Sequence, residues 1–357
     1  MRIQKIDVFT RKVPLLAAFK TALRTVTEVE IIDAVIHFEN GMKGRGSAAP
    51  SYVITGDSAE SIKAALLGPI QEAISGKNLF DFQKTLSAVQ SCCAGNPSAK
   101  AAADIALHDA FSRSLEIPLW KLLGGRKPLT TCMTISADRP EKMAEDAKIA
   151  AEKGFAVLKV KVGADPEQDF ERVEAIQTVL PSHIRLRLDA NQGWDPKQAV
   201  AFIRQFEKMN WNIELIEQPV AASDWDGLKY VTDHSGIPIM ADESLFSAKD
   251  AMKLAAGRYA DMLNIKLMKC GGLSEAWKIA TVAQLHGVAC MVGSMMESSV
   301  SVGAAAHLAA AHPNIRYFDL DAPLWLKEDA SCIQYDRNHV LLSDLPGLGL
   351  PAAELIS

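Results

Sequence analysis

The chain has 357 residues, long enough for two domains or for one large barrel with additions. Hydrophobic residues make up 48% and charged residues 23%, ordinary for a globular protein. A net charge of −5, with no basic block and no aromatic–basic interleaving, argues against a nucleic-acid partner.

The N-terminus, MRIQKIDVF, alternates like a strand and lacks the apolar core of a signal peptide. Two alternating runs, IQKIDVFTRKVPL and TEVEIIDAVIHFEN, precede a turn at Asn40-Gly41 and a third strand near Gly44–Ala49, which predicts a small antiparallel meander. Helical patterns follow over Ser58–Ser75, Asp81–Gln90 and Ser98–Arg113. IPLWKLLGG closes this α+β region near residue 125. Six cysteines, Cys92, Cys93, Cys132, Cys270, Cys290 and Cys332, show neither disulfide nor zinc spacing, so reduced thiols in a cytoplasmic protein are expected.

From Leu129 the pattern becomes repeated strand–helix alternation. Strands are expected at Thr131–Ile135, Val157–Val162, Ile184–Asp189, Ile213–Glu217, Ile237–Asp242, Met262–Lys266, Val288–Val292 and Ile315–Asp319, their starts 24 to 29 residues apart. Eight regular βα repeats without a Gly-rich nucleotide loop after the first strand favour a closed α/β barrel over a doubly wound sheet. Pro323 follows the eighth strand so soon that the last helix is short or absent. The stretch Val288–Ala311 is apolar, but Glu297, four serines and His307 interrupt it, so no membrane span is expected there. The tail from Cys332 is strand-like, then rich in Gly and Pro, and is expected to return to the N-terminal region.

Asp189, Glu217, Asp242 and Lys266 end four successive strands, at intervals of 28, 25 and 24 residues. Carboxyl ends of barrel strands are where catalytic groups collect. Three carboxylates converging there require a cation, and hard oxygen donors without nearby His or Cys suit Mg2+. On the buried second strand, Lys159 and Lys161 alternate to the same side and point into the barrel mouth. Paired ammonium groups beside a dication should depress one lysine's pKa and make Lys161 a competent base. Lys266, four strands away in a ring of eight, should face Lys161 across the mouth. Two proton carriers on opposite faces of one carbon allow racemisation or epimerisation. Cation and Lys159 would stabilise the enolate formed by removing a proton next to a carboxylate.

KVKVG, LDANQGW, EQP, MADES and NIKLMKCGG, with SAKAAADIALHDAFSRSLEIPLWKLLGG upstream, resemble the muconate-lactonizing subgroup of the enolase superfamily along essentially the whole chain. The resemblance implies a modified TIM barrel, (β/α)7β, over residues 126–329. It also implies an N-terminal α+β capping domain over 1–125, completed by the tail 330–357. It places Mg2+ on Asp189, Glu217 and Asp242, acid/base chemistry on Lys161 and Lys266, and a substrate carboxylate on Lys159. Asn191 and Glu243 would hold ligands and lysines in place. Homo-oligomers are usual in the superfamily.

The subgroup hosts muconate cycloisomerisation, o-succinylbenzoate synthesis, N-succinylamino acid racemisation and dipeptide epimerisation. FDLDAP carries Asp319 and Asp321, and this Asp-x-Asp resembles the feature with which dipeptide epimerases hold a free amine. FKTALRTV and PSYVITGDS resemble epimerases of alanyl-glutamate, and Arg24 would there hold an acidic side chain. L-Ala-D/L-Glu is thus the leading substrate, with hydrophobic or cationic dipeptides and the other subgroup reactions as alternatives. A barrel that binds metal and ligand without turnover is the non-enzymatic alternative, and intact Lys161 and Lys266 argue against it. Glu297 and Ser298, after the seventh strand, are expected to line the pocket.

Overall fold

The computed structural model describes residues 1–21, 24–163, 165–329 and 332–351. Three antiparallel strands open the chain: β1 (Ile3–Lys20), β2 (Thr25–Phe38) and β3 (Lys43–Ala48), in that order. β1 runs five residues beyond its expected end, and its pairing with β2 is irregular between Pro14 and Phe19. Pro14 has no N–H to give to the ladder, which accounts for a break there. The helix expected over Ser58–Ser75 divides into Ala59–Ala65, a wider turn at Leu66–Ile70 and Gln71–Ile74. Pro69 inside that turn removes a helical donor, and Gly68 leaves helical geometry.

The helix Pro97–Ser114 is buried on nearly every side, so it reads as a core helix rather than an amphipathic surface one. It lies directly on β3. A Cβ on Gly44 would sit 2.2 Å from Ala106 O, and one on Gly46 2.0 Å from Ala102 O, so only glycine permits this approach. The same helix reaches the barrel. Asp104 accepts from Leu273 N at 2.7 Å and so satisfies an open N–H at the start of the helix Leu273–Leu285.

β4 (Leu129–Thr130) precedes eight parallel strands: β5 (Met133–Ile135), β6 (Val157–Lys161), β7 (Arg185–Asp189), β8 (Ile213–Glu217), β9 (Ile239–Ala241), β10 (Met262–Lys266), β11 (Ala289–Gly293) and β12 (Ile315–Phe318). Neighbours in sequence are neighbours in space throughout. Helices cross over after each of the first seven, and only the turn Ala322–Trp325 follows β12. The architecture is the (β/α)7β barrel with an N-terminal strand-and-helix domain. Where β12 returns to the first strand, side chains make the seam. Leu320 N donates to Thr131 Oγ1 at 2.8 Å, and Thr134 N to Asp321 Oδ2 at 2.7 Å.

The expected first strand, Thr131–Ile135, is shortened to Met133–Ile135, and Leu129–Thr130 just before it pairs with the tail hairpin β13 (Ile333–Asp336) and β14 (His339–Leu342). The tail therefore meets the barrel side first. It then reaches the N-terminal region, where Leu119 N donates to Gly347 O and Leu348 N to Asp109 Oδ1, each at 2.8 Å. Residues 330–331 and 352–357 of the expected tail lie outside the described residues. Among the described residues no helix is long and apolar enough to cross a membrane.

Candidate active site

Asp189, Glu217 and Lys266 are the last residues of β7, β8 and β10, and Asp242 follows β9 directly. The register pairs Lys161 with Asp189 and Asp189 with Glu217, so these side chains meet at one end of the barrel. All three carboxylates are wholly buried. Each faces a lysine. Lys161 Nζ donates to Asp189 Oδ2 at 2.6 Å, and Lys266 Nζ to Asp242 Oδ2 at 2.7 Å. Lys159 Nζ lies 3.0 Å from Asp189 Oδ2, 2.8 Å from Glu217 Oε2 and 2.8 Å from Asp319 Oδ2.

These pairings set the protonation states. Burial opposes the charge on Lys159, but Asp189, Asp319 and Glu217 overcome it and hold its pKa well above the ordinary value. Lys266 behaves likewise, with burial opposed and outweighed chiefly by Asp242. Lys159 thus keeps its proton beside Lys161. Its neighbours are carboxylates, and their attraction exceeds the repulsion between ammonium groups. Asp189 is held down at about 2 against burial by Lys159 and Lys161. Glu217 is pushed up to about 7 by burial and by Asp189.

Among the described residues no three His, Cys, Asp or Glu side chains form a ready-made cage, because the carboxylates turn toward ammonium groups. The chemistry nonetheless suits a hard dication. The donors are all oxygen, and Lys159 stands where a cation would neutralise several of them. Glu217 Oε2, although 2.8 Å from Lys159, accepts no hydrogen bond of proper geometry. Asn191 Oδ1 and Glu243 Oε2 are likewise buried without a partner, while Asn191 Nδ2 donates to Glu243 Oε1 at 3.2 Å.

Above the carboxylates lies a cavity of about 70 Å3, walled by the barrel mouth and by the N-terminal domain. Lys159, Lys161, Lys266, Asn191, Glu243, Asp319, Asp321 and Arg24 all line it. Asp189, Glu217 and Asp242 do not line it directly; paired with the lysines that do, they form its buried floor. Arg24 is half-buried, burial lowers its pKa, and among the described residues it pairs with no carboxylate. Ala22 and Leu23 of its segment lie outside the described residues.

Asp319 and Asp321 lie beyond β12 and differ in their partners. Asp319 answers Lys159, and Cys132 Sγ lies 3.3 Å from its Oδ1. Burial opposes its charge, but Lys159 prevails and lowers its pKa. Asp321 Oδ2 accepts from Thr134 N at 2.7 Å and Trp325 Nε1 at 3.3 Å, and burial with Asp319 raises its pKa to about 6.

Glu297 and Ser298 are corrected: neither lines the cavity. Glu297 turns back to accept from Met295 N at 2.6 Å, and Ser298 Oγ donates to Ser47 Oγ at 2.8 Å. Ser294, Met295 and Met296 form that wall instead. Sequence reasoning also missed Lys269 and Asn264. Lys269 Nζ, 2% exposed, donates to the main-chain O of Asp242 and to its Oδ1 at 2.6 Å. Asn264 Nδ2 donates to Glu217 Oε1 at 2.8 Å. Asn264 stands two residues before Lys266 on one strand, hence on the same face, a signal that alternation could have supplied.

Two family models cover the chain: "Mandelate racemase / muconate lactonizing enzyme, N-terminal domain" over residues 5–124 and "Enolase C-terminal domain-like" over 142–355. The chain belongs to this family of the enolase superfamily. It is 45% identical to the L-Ala-D/L-Glu epimerase of Bacillus subtilis over 100% of this chain and 98% of that protein. A substrate-liganded structure of the Bacillus subtilis enzyme superposes with a TM-score of 0.96, covering 98% of this chain and 99% of that one. The Enterococcus faecalis dipeptide epimerase, solved with Mg and L-Leu-L-Tyr, is 38% identical, with a TM-score of 0.93 over 98% and 99% of the two chains.

Proposed function

We propose that this protein is a Mg2+-dependent dipeptide epimerase that inverts the α-carbon of the C-terminal residue, with L-Ala-D/L-Glu its leading substrate. The observation that carries the reading is one cavity lined by Lys161, Lys266, Asp319, Asp321 and Arg24, which pairs with no carboxylate among the described residues, over a floor of three buried carboxylates. Asp189, Glu217 and Asp242 would hold Mg2+, which supplies the positive charge that acidifies a proton next to a carboxylate. With those carboxylates committed to a dication, Lys266 would lose part of the negative charge that raises its pKa. Lys159 meets the substrate carboxylate. One of Lys161 and Lys266 takes the α-proton onto its Nζ; the other gives a proton from its Nζ to the opposite face.

Asp321, with Oδ2 already occupied, and Asp319 beside it receive the N-terminal ammonium. Arg24 receives the acidic side chain of the second residue. Asn191 and Glu243 orient the floor, and Glu297 and Ser298 shape the seventh loop without touching substrate. Residues 1–125 with the tail 330–357 form the capping domain and 126–329 the barrel; the bonds from Gly347 and Leu348 to the cap support this division. A cytoplasmic homo-oligomer completes the reading, supported by six free cysteines and by the family resemblance respectively.

The test is a panel of Ala-Glu, Ala-Ala, Ala-Phe, Ala-Lys and N-succinyl-Phe with Mg2+, followed by chiral analysis. Ala-Glu should invert fastest and EDTA should stop it. Preference for N-succinyl-Phe would reject the amine site, and preference for Ala-Lys would reject the role of Arg24.

A further inference from the structure

Behind the wall of the active-site cavity lies a second, mainly apolar chamber of about 410 Å3. It is lined by β1, by Met133 and Ile135 of the first barrel strand, by the helix Pro140–Glu152 and by Trp325, and it opens to the surface at Leu16 and Ile149, which are 64% and 41% exposed. Thr134 borders both spaces. An aromatic pair joins the two linings. The ring of Phe19, which lines the active site, stands edge-to-face on Trp325, which lines the chamber, with centroids 5.1 Å apart. Both rings pack against the small core of Val13, Leu15, Val29, Ile31 and Leu326, which fixes the wall to the cap.

We propose that the Phe19–Trp325 pair is a specificity gate: it closes the active site against the apolar chamber and restricts the N-terminal residue of the substrate to a small side chain. The inference rests on the dipeptide reading above. An ammonium held by Asp321 carries its α-carbon with it, so the first side chain must meet the wall beside Asp321, formed by Phe19, Thr134 and Ala322. A methyl group fits against such a wall. A branched or aromatic side chain needs the space that the two rings close off. Trp325 has a second task, since its indole N–H is one of two donors fixing Asp321 Oδ2, the other being Thr134 N. It is a positioning residue for the amine site as well as part of the gate.

The two tasks separate by substitution. Phe19→Ala removes the wall and keeps the indole donor. It should raise the Leu-Glu to Ala-Glu ratio of kcat/KM by about tenfold or more, the scale of a few methylenes in an apolar pocket. Trp325→Phe keeps a ring and loses the donor. It should raise KM for Ala-Glu and Leu-Glu together and leave their ratio unchanged. An unchanged ratio in Phe19→Ala, or a wild-type enzyme that takes Leu-Glu as readily as Ala-Glu, overturns the gate while leaving the epimerase reading intact. Wild-type protein that exchanges the α-proton of neither dipeptide sinks the epimerase reading and the gate with it. Phe19→Leu, a milder change, gives the same comparison if the alanine variant does not fold.

Discussion

The floor of the cavity and its upper wall are built on opposite principles. The floor is rigid and mutually neutralised: Asp189, Glu217 and Asp242 are fully buried, each faces a lysine, and strand ends fix every member. The wall comes from β1 and from loops, mixes half-buried Phe19, Ile54 and Met296 with exposed Val53, and carries a guanidinium with no partner among the described residues. A charged group inside a packed network is costly to move, whereas an apolar loop can change at small cost. On the proposed reading, chemistry resides in the first region and substrate choice in the second.

That division breaks most visibly at the lysines. Lys161→Ala or Lys266→Ala should abolish inversion, a loss of roughly a thousandfold or more for a proton carrier removed from its face. Each variant should still exchange the α-proton of one epimer in D2O, through the lysine that remains. If a single variant exchanges both epimers, the two-sided arrangement is wrong.

Asp321→Asn tests the border between floor and wall. Removing a charge-assisted contact to an ammonium should lower kcat/KM for free-amine dipeptides by about a hundredfold, on the scale of 1.5–3 kcal/mol for hydrogen bonds to charged groups. An equal loss on an N-succinylated substrate would mean that the change damages the site generally.

Arg24→Met acts on the wall alone. It should cost about tenfold to a hundredfold on Ala-Glu and little on Ala-Ala, read as the ratio of kcat/KM. Equal losses would remove Arg24 from substrate choice.

The smallest effect concerns stability, away from both regions. Burial lowers the pKa of His307 and His312 to about 4 from the ordinary 6.5. His307 Nδ1 accepts from Trp120 N at 2.9 Å, which an imidazolium cannot do. The unfolded chain takes up these protons first, so stability is intact above pH 6.5 and falls as pH drops toward 4. The slope is at most about 1.4 kcal/mol per pH unit for His307 within that window, and solvent screening makes it smaller for His312. Buried acids such as Glu297, raised to about 7 by burial, act in the opposite sense. The informative quantity is therefore the difference between wild type and His307→Asn in Tm across pH 4–7, and parallel curves would contradict the assignment.

The floor was legible in the sequence because barrel strands recur at a regular spacing and each ends in a charge. Asp189, Glu217, Asp242 and Lys266 needed only that period. The lysine protonation states were not legible, because they depend on which opposite charges lie within 3 Å. Lys159 sits among carboxylates contributed by β7, β8 and the segment after β12. The wall was harder. Glu297 is a polar residue after a strand, and sequence cannot say that its carboxylate turns back to Met295 N. Phe19 and Trp325 lie 306 positions apart, and only the tertiary fold brings them together.

The most direct measurement of the central claim is 1H NMR of L-Ala-L-Glu and L-Ala-D-Glu, each incubated in D2O with the protein and Mg2+. Inversion through two lysines predicts deuterium at the glutamyl α-carbon of the inverted product from either epimer, with both reactions stopped by EDTA. Inversion without deuterium, or no exchange from either epimer, would contradict it.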